Sequence, residues 1–119
     1  MRIAPLPVTA YTLTCAMGQG IAEALTALRE MRGTLCPCDL PDVDLDTWIG
    51  RVRGLDDSPL RGLLADYDCR NNRLADLALV QDGFDRRVAE AIEDYGPQRI
   101  GVFVGTSTSG LRHTEQWYQ

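Results

Sequence analysis

An α/β domain, with helices packed on a mixed sheet, is the fold class this sequence predicts. Three observations predict it. An alternating stretch near the N-terminus runs into glycines and then a helical pattern. A long amphipathic pattern fills the second half. A short run, apolar on both faces, follows that pattern after a Gly-Pro stop. Strand, helix, long loop, helix, strand is the order of a layered α/β protein.

The first element is "TAYTLTCAM", residues 9–17. Tyr11, Leu13, Cys15 and Met17 share one face, with Thr12, Thr14 and Ala16 on the other, which is the period of a strand. Gly18 and Gly20 end it. In "IAEALTALREMR", Ile21, Ala24, Leu25, Leu28 and Met31 recur at helical spacing. A helix is expected over 21–32, stopped by Gly33.

From Gly33 to about Ser58 the sequence reads as an irregular acidic loop. "CPCDLPDVDLD" holds two prolines and four aspartates, and such a charge run is most simply solvated. Trp48 and Ile49 are expected to pin the loop to the core. "SPLRGLLADY" predicts a short helical turn starting at Pro59 with Ser58 as its cap.

The clearest element is "DYDCRNNRLADLALVQDGFDRRVAEAIEDYG". Leu74, Leu77, Ala78, Gln81, Phe84, Val88, Ala91, Ile92 and Tyr95 follow the i, i+3, i+4, i+7 pattern. One helix is expected from Cys69 or Asn71 to Tyr95, capped by Asp68 or Asn71, with Gly83 as a weak spot and Arg86 and Arg87 on its polar face. Gly96-Pro97 stops it. "RIGVFV", residues 99–104, is apolar on both faces, as expected of a strand covered on both sides.

Bulk properties narrow the function. The chain has 119 residues, a length for one domain. Its net charge is −5, which argues against nucleic acid and against an anionic membrane as partners. All 12 of its Lys and Arg residues are Arg, which removes lysine-based chemistry. No apolar run is long enough to span a membrane, and the N-terminus lacks the compact apolar region of a signal peptide. A cytoplasmic protein with reduced thiols is expected. Cys36-Pro37-Cys38, Cys15, Cys69 and His113 do not have the spacing of common zinc sites. No metal and no cofactor is expected.

The loop "GTSTSG", Gly105 to Gly110, leaves the carboxyl end of the last strand, where open α/β sheets bind ligands. It has no Walker lysine, and it is not G-x-S-x-G, because its second glycine comes one residue late. Ser107 or Ser109 with His113 and the nearby Glu115 therefore makes a poor hydrolase. The residues leave two readings: a loop that cradles an anion, or a close-packed loop whose small residues let backbone approach backbone.

Taken together, "YTLTCAMGQG", the helix after it, "DYDCRNNRLADLAL" and above all "RIGVFVGTSTSG" resemble the N-terminal portion of a β-ketoacyl-[acyl-carrier-protein] synthase. The resemblance spans residues 1–119 but only the front of that family's chain. It implies a thiolase-like layered fold, incomplete here. It also implies decarboxylative condensation of an acyl thioester with malonyl on an acyl carrier protein, in fatty-acid or polyketide-like synthesis. The family's nucleophile lies in a T-A-C-type motif downstream of the loop, and its two histidines lie further on. No catalytic residue carries over to this chain, which alone is expected to be inactive.

One substrate-binding position carries over. Thr108 matches the floor of the acyl pocket, often a bulky aliphatic gate in elongating relatives. Gly105 and Gly110 match the loop glycines. The implied partners are an acyl carrier protein and either the remaining part of the synthase or a homologous subunit in a dimer. The alternatives are a non-catalytic chain-length-factor-like subunit and an unrelated small α/β binding module. The sequence is expected to be a piece of a longer polypeptide, because half a thiolase-type sheet leaves edges and an apolar layer uncovered.

Overall fold

A computed structural model of the chain describes residues 4–40, 43–106, 111, 114 and 118. Helices and two small antiparallel sheets make it a mixed α/β structure in the general sense.

The predicted strand over 9–17 is mostly absent. β1 is Thr14–Cys15 and β2 is Gly18–Gln19, paired antiparallel with Thr14 opposite Gln19. Before Thr14 the ladder continues only as far as Leu13 O, which accepts the Gly20 N–H at 2.8 Å; residues 9–13 form no strand, and Tyr11 is exposed. Gly18 belongs to the returning strand instead of ending one. A Cβ there would lie 2.4 Å from Glu23 Cβ, so only glycine lets the hairpin sit against the helix that follows.

That helix, α1, is Ile21–Arg29, shorter than the expected 21–32. It closes before Gly33, by its own backbone. Met31 adopts φ 50°, its N–H donates to Leu28 O, and the Arg32 N–H donates to Ala27 O. This is a Schellman closure with methionine where glycine is usual. Ala24 and Ala27 are buried, whereas Leu25, Leu28 and Met31 are exposed. The face turned inward is thus the small-residue face, because small side chains admit the close approach of the hairpin.

The acidic stretch 33–58 is not irregular throughout. β3, Leu35–Pro37, pairs antiparallel with β4, Trp48–Gly50, placing Cys36 opposite Ile49. The Cys38 N–H donates to Thr47 O and continues the ladder. Pro37 is tolerated because this two-stranded sheet has only edges. Ile49 is half-buried, but Trp48 is exposed and pins nothing. Gly50 lies against the first hairpin; a Cβ on it would be 2.9 Å from Ala16 Cβ.

No helical turn starts at Pro59. The Ser58 hydroxyl donates to Gly54 O, and a 3-10 segment forms later, at Gly62–Tyr67. The long helix is two. α2 is Arg70–Leu79 and α3 is Phe84–Tyr95, separated by a 3-10 turn at Gln81–Gly83. Asp82 (φ 56°) and Gly83 (φ 67°) are both left-handed, so the weak spot at Gly83 is a full break. Asp68 does not cap α2; Cys69 is the capping position and makes no side-chain cap bond. Arg86 and Arg87 do lie on the exposed face, each beside Glu90. Gly96 and Pro97 end α3 as expected.

Residues 101–106 form no strand. Val102, Phe103 and Val104 are 83%, 97% and 81% exposed. A strand apolar on both faces forms only between neighbours that supply hydrogen bonds and cover, and the described residues supply neither. Among them the buried apolar core is Ala24, Ala27 and Leu55. The Cα radius of gyration, 17.6 Å, exceeds the roughly 13–14 Å of a compact domain of this length.

Candidate functional site

Thr108 and Gly110 lie outside the described residues, as do Ser107, Ser109 and His113. Gly105 is described and exposed, and a Cβ on it would meet nothing within 4 Å. Among the described residues, none packs against this glycine. The four cysteines carry free, half-buried thiols.

A concave site does form elsewhere, where β1–β2, α1 and β4 meet. Its lining is Ala16 and Met17 from the first hairpin turn, Ala22, Glu23 and Thr26 from α1, Arg32 and Thr34 after it, and Arg51 and Arg53 after β4. The cavity measures about 550 Å³, within the roughly 300–1,000 Å³ of small-molecule sites. The two glycine approaches bring these elements together: Gly18 against Glu23, and Gly50 against Ala16.

Glu23 is the acidic wall. Its carboxylate accepts the Gln19 N–H at 2.9 Å and an Arg53 N–H at 2.6 Å. The Gln19 bond and then the Arg53 guanidinium hold its pKa below the usual carboxylate value. Gln19 Nε2 donates to Arg53 O at 2.5 Å, so the hairpin also grips the Arg53 backbone. Arg51 donates through Nε and Nη2 to Asp39, which keeps Asp39 low and Arg51 high in pKa. Arg32 pairs with Glu30. Neither Asp39 nor Glu30 lines the cavity.

Sequence reasoning missed this cluster. The one local signal was "RVR" after β4, because period two puts Arg51 and Arg53 on one side of an extended chain. Arg32 and Thr34 come from the other side of the hairpin, and only its non-local pairing brings them close. Among the described residues, no group of three or more His, Cys, Asp or Glu side chains is placed to hold a metal, and no helix is long and apolar enough to cross a membrane.

Compared with known proteins, the chain matches no family model, no curated protein and no solved structure.

Proposed function

We propose that these 119 residues are the N-terminal segment of a β-ketoacyl-[acyl-carrier-protein] synthase with a thiolase-like layered fold. The observation that carries the proposal is the segment beginning at Arg99. Its sequence, "RIGVFVGTSTSG", resembles the buried strand and small-residue loop of that family. In the structure its apolar residues Val102, Phe103 and Val104 stand exposed. Three consecutive apolar side chains in water are a cost that covering chain removes, at roughly 25 cal/mol per Å² buried. A strand meant for the middle of a larger sheet behaves this way when the rest of the sheet is lacking.

In this reading the chain supplies architecture, not chemistry. Ile100 to Val104 becomes an interior strand, and Thr108 corresponds to the family's acyl-pocket position, with Gly105 and Gly110 as the loop glycines. The remaining part of the synthase supplies a cysteine thiolate that carries the acyl group, activated by a helix N-terminus. It also supplies two histidines that stabilise the enolate and oxyanion during decarboxylative condensation. The partners are an acyl carrier protein and a homologous subunit, and the compartment is the cytoplasm. A chain-length-factor-like subunit would share the same front half but lack the cysteine.

The test is an assay of the protein purified from its native source, with malonyl-carrier protein and an acyl primer. Decarboxylation coupled to formation of a 3-oxoacyl product supports the synthase reading. Decarboxylation or condensation only in the presence of a second subunit supports the chain-length-factor form. Neither activity, in protein that remains folded, overturns the proposal.

A further inference from the structure

We infer that the cavity between α1 and β4 is a binding site for a phosphate monoester, held by Arg32, Arg51 and Arg53. This inference stands apart from the synthase reading and uses none of its residues.

Three of the chain's guanidiniums line one cavity, and each is ion-paired with a carboxylate: Arg53 with Glu23, Arg51 with Asp39 and Arg32 with Glu30. The pairs leave the lining without net charge, so what it offers an anion is a convergent set of N–H donors. A phosphate monoester carries about −1.5 to −2 at neutral pH and three strong acceptor oxygens. Those three oxygens match the three donor forks. A carboxylate has half the charge and two oxygens, so it satisfies fewer of them.

The arginines keep donors to spare. Each guanidinium has five N–H groups. Arg53 gives Nη2 to Glu23, Arg51 gives Nε and Nη2 to Asp39, and Arg32 gives Nη2 to Glu30. Among the described residues, Nη1 of each has no hydrogen-bond partner. The carboxylates act as struts that fix the forks, which reduces the ordering cost of binding. Thr34 adds a hydroxyl to the lining. The Thr26 hydroxyl is already committed to Ala22 O at 2.9 Å and serves as wall. Ala16, Met17 and Ala22 give an apolar side suited to the organic part of the ester.

The test is a titration of the 119-residue chain with phenyl phosphate, followed by ³¹P NMR at constant ionic strength. Inorganic phosphate, acetate and phenol are run in parallel. The expected result is saturable binding of phenyl phosphate, weaker binding of inorganic phosphate, and none of acetate or phenol. Arg51→Gln should weaken binding about tenfold, as loss of one charged hydrogen-bonding group does. Arg86→Gln, on the exposed face of α3, should leave it unchanged.

Arg51 also braces the second hairpin, so Arg32→Gln is the companion variant. The Arg32 ion partner, Glu30, is two residues away, and its loss leaves every cross-element pair intact. Circular dichroism checks that each variant keeps the wild-type helix content. Absence of saturation with phenyl phosphate overturns the inference. So does an equal loss in Arg86→Gln, or wild-type affinity in folded Arg32→Gln and Arg51→Gln.

Discussion

Asp82 caps α1 from sixty-one residues away: both of its carboxylate oxygens lie 3.1 Å from the Ile21 N–H. The same carboxylate accepts the Thr12 hydroxyl at 2.9 Å. The break between α2 and α3 therefore closes the N-terminus of another helix, whose own capping position, Gly20, has no side chain to do so. A carboxylate at a helix N-terminus is also favoured by the helix dipole.

Asp82→Ala should destabilise the fold by about 1 kcal/mol, the usual worth of a lost cap. Asp82→Asn should cost less, because asparagine keeps an acceptor and tolerates the left-handed backbone at φ 56°. Urea unfolding followed by circular dichroism measures both. Equal loss in the two variants would remove the capping account.

Asp68 governs an acid-dependent part of stability. Its carboxylate takes two Arg73 N–H groups, at 2.6 and 2.5 Å, and the Leu60 N–H at 3.0 Å. The Arg73 guanidinium first, and the Leu60 bond second, pull its pKa down to about 2. Because the folded-state value is lowered, the stabilisation is fully present above the ordinary value of 3.8. It is lost as pH falls from there towards 2. Urea midpoints measured between pH 6 and pH 2 should fall across that window in the wild type. In Arg73→Gln the midpoint should start lower and fall less.

Gly18 is held by a close approach. Gly18→Ala would push Cβ to 2.4 Å from Glu23 Cβ and 2.9 Å from the Ala24 nitrogen. The expected cost is about 1–3 kcal/mol, as for other forced contacts. Gly33→Ala is the internal comparison, since nothing lies within 4 Å of its Cβ. It should be neutral or stabilise by up to about 1 kcal/mol. Thermal unfolding separates the two.

Met31 closes α1 in the left-handed region while its side chain is almost wholly exposed. Met31→Gly removes the Cβ strain and loses no packing. It should stabilise by roughly 0.5–1 kcal/mol, offset in part by glycine's greater freedom in the unfolded chain. A lower melting temperature in that variant would contradict the Schellman closure.

These residues also explain what the sequence made legible. The start of α1 and the stop at Gly96-Pro97 follow from local rules of periodicity and glycine backbone, and both are present; the single helix expected across Gly83 is instead two, because Asp82 and Gly83 are left-handed. The β3–β4 hairpin was hidden because Pro37 and the aspartates around it look like loop, and its pairing joins residues far apart in sequence. The Asp82 cap and the arginine cluster were hidden for the same reason. Helical spacing marked Ala24, Leu25 and Leu28 together, but the hairpin buries Ala24 with Ala27 and leaves the two leucines exposed. The strand at 99–104 failed for another reason: its pattern describes neighbours on both sides, and pattern alone cannot provide them. Of the site residues named from the resemblance, Gly105 is exposed, while Thr108 and Gly110 lie outside the described residues.

The most direct measurement is the intact mass of the protein purified from its native source, followed by sequencing of any chain beyond Gln119. The expected result is a mass several times 13.2 kDa, with a T-A-C-type cysteine and two further histidines downstream of the small-residue loop. A mass of 13.2 kDa, in a protein that sediments as a folded monomer, would contradict the synthase reading.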